Sequence, residues 1–393
     1  MDYSAMIKLG IIGYGDRANY LTDILLKVDN NLKIQAVTDI RSETIKAKYS
    51  DKLGAAHFYT DADQMLRNEP LDGVIVATRC SSHTPMASKV LEYNLPLFLE
   101  KPVSISIEQI DQLSRYIKDP DEKVVVSFPL RVSPLLQKVK QLIESGVIGD
   151  IAHVIAHNYV PYGRVYYADW YRDSDETGGM LLQKATHDFD YINYLLEQTP
   201  VRIAAMSSRQ VFGGDMPAGL TCYRCNRQDR CPEGPPALKE QNEMAGISKY
   251  DHYCLFGQDI KHSDNDSVLI EYQNSVQVSY TQNFFARCKA AGRGATLVGY
   301  KGTLRFDWYK ELIEIISHHS NEITEIRLKS GGEHHGGDAA LCRNFINLIR
   351  NRQSSRTPLH TGLLSAYMCL LAQKSATSKT FMEFDTSLIR KFA

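Results

Sequence analysis

The chain has 393 residues, a formal charge of −1 at neutral pH, and 43% hydrophobic against 23% charged residues. These are proportions of a globular protein long enough to bury two cores. The near-balanced charge leaves no electrostatic footprint for nucleic acid or a membrane surface, and no apolar run approaches the length that spans a bilayer. The opening MDYSAMIKLG lacks the basic and apolar regions of a secretion leader. The cytoplasm is therefore expected, with the eight cysteines as thiols or metal ligands rather than disulfides.

Ile7, Leu9, Ile11 and Ile12 make a first strand that runs into Gly13-Tyr14-Gly15-Asp16-Arg17-Ala18, and residues 21–28 continue as a helix. G-x-G-x-x-A at a strand-to-helix turn has a physical purpose. Gly13 permits the tight turn, Gly15 lets the backbone approach a pyrophosphate, and Ala18 keeps the helix close to the strand. The helix N-terminus adds free N–H groups and positive dipole. A second strand at 33–38 ends in Asp39-Ile40-Arg41. The carboxylate of Asp39 suits the adenosine ribose hydroxyls and disfavours a 2′-phosphate, so NAD is expected. Arg41 keeps NADP open.

Further strands at 57–59, 73–77, 96–99 and 124–128 alternate with helices at 42–52, 62–68, 85–93 and 107–117. This order predicts a doubly wound parallel sheet of Rossmann type over residues 1–128. Residues 129–393 change character. Strands at 151–162, 201–208, 267–272, 276–283, 295–299, 303–306, 312–317 and 323–328 predict a large, mostly antiparallel sheet in an α+β domain. Its helices are expected at 133–144, 180–196, 338–351 and 361–378, the last packing back near the first domain. Such open sheets often pair, which suggests a dimer or tetramer.

Three places beyond the glycine loop carry candidate chemistry. Glu100-Lys101-Pro102 follows the fifth strand, where the ends of parallel strands line the ligand crevice. Lys101 should project toward the nicotinamide end of a cofactor, and the Lys101–Pro102 bond is a candidate cis peptide. In GGMLLQKATHDFDY (178–191), helical spacing puts Gln183, Lys184, His187 and Asp190 on one face. His187 is a natural proton acceptor for an alcohol, and Lys184 would stabilise alkoxide charge. Third, Cys222, Cys225, Cys231 and Cys254 fall in an insertion at about 220–256. C-x2-C is a usual half of a tetrahedral zinc site, but the second half is irregular. Structural zinc and free thiols both fit, an iron–sulfur cluster less well.

These residues together resemble the Gfo/Idh/MocA oxidoreductases, relatives of glucose–fructose oxidoreductase and inositol dehydrogenase. The match extends through Ala77-Thr78-Arg79-Cys80-Ser81-Ser82-His83, RVSPLLQKVKQLIESGVIGD (131–150) and HHGGD (334–338). The resemblance implies NAD(P)-dependent hydride transfer between cofactor and a sugar or cyclitol. It assigns the family lysine to Lys101 and the catalytic histidine to His187, with Ala77, Thr78, Arg79, His83 and Glu100 near the cofactor. The chain departs at Gln183, where many members carry an aspartate, and at Arg79, where proline is common. Lys184 would then replace the missing polar partner. Trp170 and Arg172 are candidate sugar contacts, with Tyr162 and His335 as alternative proton acceptors. Two other activities suit this fold: glycoside cleavage by transient oxidation with tightly held NAD, and non-catalytic cofactor sensing. A sensor has no need of the lysines and histidine.

Overall fold

The protein is described by a computed structural model covering residues 6–117, 123–234, 252–329, 331 and 333–392; part of the cysteine-rich insertion, 235–251, lies outside them. Strands β1 (Ile7–Ile12), β2 (Leu32–Thr38), β3 (His57–Tyr59), β4 (Gly73–Val76), β5 (Leu97–Leu99) and β6 (Val124–Val126) form an all-parallel sheet in the order β3-β2-β1-β4-β5-β6. β4 to β6 are wholly buried, as continuous apolar runs covered on both faces require. The order reverses between β1 and β4. A crevice therefore opens at the carboxyl ends of these strands.

The second sheet has nine strands: β7 (Ile151–Tyr159), β8 (Pro200–Ser208), β9 (Asn265–Tyr272), β10 (Gln277–Asn283), β11 (Gly292–Gly299), β12 (Gly302–Asp307), β13 (Leu312–Ser317), β14 (Ile323–Arg327) and β15 (Met382–Glu383). They run in the order β14-β13-β12-β11-β7-β10-β9-β8-β15. All neighbours are antiparallel except β7 and β10, which pair parallel with Ile155 opposite Ser279. Along β9, Asp266, Val268, Ile270 and Tyr272 are buried while Leu269 is exposed, the period-two pattern of a sheet with one covered face.

The helix Met180–Leu196 lies between the layers with all but Asn193 and Tyr194 buried. It starts at two glycines with positive φ, Gly178 at 68° and Gly179 at 106°. A Cβ on Gly179 would stand 2.2 Å from the Gln373 amide nitrogen, and one on Gly178 would stand 2.8 Å from Leu182. Only glycine allows this helix to begin here. One apolar core runs through both sheets, joining Val74, Leu97 and Val126 to Leu181, Val154, Ile270 and Leu304. The helix Leu359–Ser378 enters it, with Gly362 against Val103 and Val126. The helix Gly337–Ile349 reaches further back, its Phe345 and Ile349 filling the space beside Gly73 on β4. The helix expected at 42–52 is two, Ser42–Lys48 and Ser50–Leu53. The break is Tyr49, whose ring packs edge-on against Tyr14.

Arg131, beyond β6, crosses to Asp190 on the buried helix through Nε to Oδ2 (3.0 Å) and Nη2 to Oδ1 (2.5 Å). Both side chains are nearly solvent-free. Removing one partner of such a pair leaves an uncompensated buried charge. Arg131→Met should therefore lose about 3–5 kcal/mol of unfolding free energy. The double variant Arg131→Met/Asp190→Leu should lose much less, and denaturant unfolding of the pair checks both values.

Candidate active site

Gly13 has φ +83°, and a Cβ there would fall 2.8 Å from the Thr78 backbone, so the turn after β1 closes against the segment after β4. Gly15 is the N-cap of the helix Asp16–Val28 and gives it no side-chain cap. Nothing lies within 4 Å of the place its Cβ would occupy. The result is an uncapped helix N-terminus with open space above it, a natural seat for phosphate. At the end of β2, Asp39 accepts from the backbone N–H of Tyr14 (2.9 Å) and of Arg41 (2.8 Å), and from Arg41 Nε (3.3 Å). The Tyr14 ring is buried, so Tyr14 meets the crevice through its backbone, while Asp16 is exposed. Ile40 is 90% exposed. An open cradle, a held carboxylate and a bare apolar side chain fit a dinucleotide of adenine.

Arg17 binds three distant motifs together. Its Nε donates to Glu100 (2.6 Å), and its Nη2 donates to Asp338 (2.6 Å) and Ser127 (3.0 Å). Asp338 also holds His334 Nδ1 at 2.7 Å. Burial would raise both carboxyl groups, but the neighbours outweigh it. Arg17, then Lys101, holds Glu100 below its usual range; His334 and Arg17 bring Asp338 to about 2. Arg17 thus supports the crevice from within rather than standing free on the glycine loop.

Beyond β4, the buried His83 ring spans the carbonyls of Pro102 (2.8 Å) and Thr78 (3.1 Å), and the Lys101–Pro102 bond is cis. Arg79 lies over the Trp170 ring at 4.7 Å, and Trp170 stacks on Tyr171 at 3.9 Å. Aromatic and guanidinium neighbours thereby occupy Trp170. Arg172 pairs with Asp259 (2.7 Å) and donates to the carbonyls of Tyr167 and Cys254. Both candidate sugar contacts are thus held in place by protein partners.

The buried helix brings the amines and imidazole together. Lys101 Nζ donates to the Gln183 carbonyl (3.2 Å), and Lys184 Nζ donates to the Tyr162 hydroxyl (2.7 Å) over the Tyr162 and Tyr166 rings. Gln183 turns away, its amide donating to Thr177 O (2.8 Å). His187 is 5% exposed, stands edge-on to Phe128, and has a buried Nδ1 with no hydrogen-bond partner. Burial, then Lys101 and Arg293, pushes its pKa well below the ordinary value, so the ring is neutral. Burial and Arg293 likewise push Lys184 far down. Burial and Lys184 bring Lys101 to about 8. Asp190, expected on this face, belongs to Arg131.

Two contributors escaped sequence reasoning. Asp188 accepts from Arg293 Nε (2.8 Å), Asn158 (2.9 Å) and the Tyr280 hydroxyl (2.9 Å), a polar network beneath the amines. The histidine facing His187 is His334, at 6.4 Å between rings, whereas His335 lies by Trp308 and Tyr309 with its pKa lowered to about 4 by burial and Arg293. HHGGD marked the place but not which ring turns inward. Among the described residues, no three His, Cys, Asp or Glu side chains are gathered at metal-holding spacing. The four cysteines of the insertion line one separate cavity.

Residues 7–128 match the model of an oxidoreductase family with an NAD-binding Rossmann fold, and residues 136–305 match the GFO/IDH/MocA C-terminal domain. The chain is 28% identical over 341 residues to the Bacillus subtilis protein named "Putative oxidoreductase YteT", covering 78% of this chain and 79% of that one. It is 24% identical over 204 residues to the myo-inositol 2-dehydrogenase of Thermotoga maritima, covering 51% of this chain and 58% of the relative. A solved levoglucosan dehydrogenase, complexed with NADH and levoglucosan, superposes with a TM-score of 0.76 at 15% identity, covering 96% of this chain and 99% of that one. That last likeness is one of fold.

The depressed pKa of Lys101 has a measurable stability consequence. A lysine at about 8 when folded and near 10.4 when unfolded binds fewer protons in the folded state between those values, so its charge opposes folding below them. Lys101→Met should raise the thermal midpoint at pH 7. The advantage should shrink as pH rises from 8 through 10.5, which calorimetry across that range checks.

Proposed function

The chain belongs to the Gfo/Idh/MocA family of oxidoreductases, and from that premise we propose that it transfers hydride between NAD and a hydroxyl carbon of a sugar or cyclitol. The observation that carries this reading is the neutral, buried His187, its Nδ1 unpartnered, beside Lys101. Relatives named as inositol dehydrogenases support the substrate class.

When bound, the nicotinamide supplies hydride acceptance. The uncapped turn at Gly15, Asp16 and Arg17 would hold the pyrophosphate with backbone N–H groups, the Gly13 and Tyr14 N–H groups being taken by Thr38 O and Asp39. Asp39 would meet the ribose hydroxyls, and Ile40 would give the adenine an apolar surface. His187 takes the hydroxyl proton: a neutral imidazole accepts it, whereas the amide of Gln183 takes up no proton near pH 7. Lys101, still largely charged below about 8, offsets negative charge on the reacting oxygen. Lys184 arrives already bonded to Tyr162, and the pair positions the substrate oxygen in place of an Asp–His relay. Water is excluded by the aromatic wall of Tyr162, Tyr166 and Phe128.

With a sugar and cyclitol panel read at NADH absorbance, His187→Ala should lower turnover by about 10²–10⁴-fold. The NADH dissociation constant should barely change. An unchanged rate removes His187 from the reaction.

A 2′-phosphate would meet the Asp39 carboxylate at close range. NADH should therefore bind more tightly than NADPH, and Asp39→Ser should narrow the difference. Fluorescence titration of both cofactors measures it, and tighter NADPH binding to the parent overturns the assignment.

A further inference from the structure

Outside the crevice, Cys222, Cys225, Cys231 and Cys254 line one cavity. Two short segments bring them together. An antiparallel bridge joins Thr221 to Tyr253, with Cys222 N donating to His252 O (2.8 Å) and Cys254 N to Leu220 O (2.7 Å). The turn after Cys222 closes with Cys225 N on Cys222 O (3.1 Å), and Cys231 O accepts from Gly234 N (3.0 Å). None of the four cysteines is in a disulfide, and all line the same cavity, with Glu233 and Leu255 beside them.

From this arrangement we infer that the four cysteines are the ligands of a structural zinc ion that fastens the wall of the catalytic cleft. Three observations carry it. First, Cys254 meets Cys222, Cys225 and Cys231 on one cavity from 23 or more residues away in sequence. Second, the backbone N–H of Arg227 donates to Cys225 Sγ at 3.4 Å, the N–H···S contact that stabilises a thiolate at a tight C-x2-C turn. Third, two guanidinium groups border the cavity. Arg164, 2% exposed, pairs with Glu233 of the lining (3.2 Å) and keeps an unpartnered Nη1. Arg172, paired with Asp259, donates to the Cys254 carbonyl (3.3 Å).

The thiols are not gathered at metal-holding spacing, so the ion itself must draw them inward by rotation about their Cα–Cβ bonds. Soft thiolates in a tetrahedral set select zinc among common divalent ions, and zinc adds no redox chemistry. The site is coupled to the cleft through the backbone. Arg172 Nη1 donates to the Cys254 carbonyl, and Tyr253 N donates to Ala168 O (3.1 Å). The anchored segment carries Tyr162, the partner of Lys184, and Trp170, which lies beneath Arg79.

The test uses the full chain purified without added metal. Mass spectrometry of the metals should find one equivalent of zinc. Cobalt(II) added after the zinc is removed should take its place, with the thiolate-to-cobalt charge-transfer and tetrahedral d–d absorption bands. Four thiols should react with Ellman's reagent only after chelation, and the chelated protein should unfold at a lower temperature. In Cys225→Ser/Cys231→Ser the zinc content should fall to about a tenth or less. If that variant does not fold, the cobalt spectrum and thiol count of the parent decide. Less than about half an equivalent of zinc with no cobalt spectrum overturns the site. So does full thiol reactivity before chelation, a disulfide among the four, iron in their place, or zinc kept by the double variant.

Discussion

A single guanidinium ties together the segments that carry the candidate catalytic groups. Arg17 leaves the glycine turn, meets Glu100 and Asp338 at 2.6 Å each, and keeps about a quarter of its side chain open to the crevice. Those two carboxylates belong to the segments that deliver Lys101 and His334. Without Arg17, each would be a buried charge lacking its counterion, and both segments would have reason to move. The cofactor turn, the lysine and the inward-facing histidine therefore share one electrostatic support, though their residues lie 83 and 321 positions from Arg17.

The cleft crowds basic side chains together. Lys101, Lys184, His187 and Arg293 crowd the N-terminal half of one buried helix, with Asp188 fixed to Arg293. The guanidinium keeps its charge, since arginine does not deprotonate in proteins. The softer groups yield instead: the imidazole is neutral and both amines titrate far below ordinary lysines. A base and a readily adjusted charge thus arise from burial and repulsion rather than from an Asp–His pair.

Much of this was legible in the sequence because it is local. Strand-helix alternation and period-two patterning located both sheets, and the Gly178–Gly179 pair and apolar spacing set the helix Met180–Leu196 to the residue. What escaped depends on tertiary placement. That Asp190 would turn to Arg131, and Asp188 to Arg293, follows from which side of the helix meets which layer. Helical spacing alone put Asp190 with His187 because it reports faces, not neighbours. Two adjacent histidines with positive φ, at 46° and 54°, reverse the usual directions of their side chains, so HHGGD did not disclose which would face the site. The partners of Trp170, Arg79 and Tyr171, were not legible as a stack because they meet only in the folded chain.

The parallel pairing of β7 with β10 has a consequence for biosynthesis. β7 ends at Tyr159, yet its two neighbours begin at Gln277 and Gly292. More than a hundred residues, including the buried helix and the cysteine-rich insertion, leave the ribosome before either edge of β7 is paired. At usual elongation rates of about 5–20 residues per second, that strand waits for several seconds with both edges unsatisfied. Closing so long a connection is also entropically slow. The centre of the second sheet is therefore where a nascent chain is most exposed to misassociation, and where a chaperone would have most to protect.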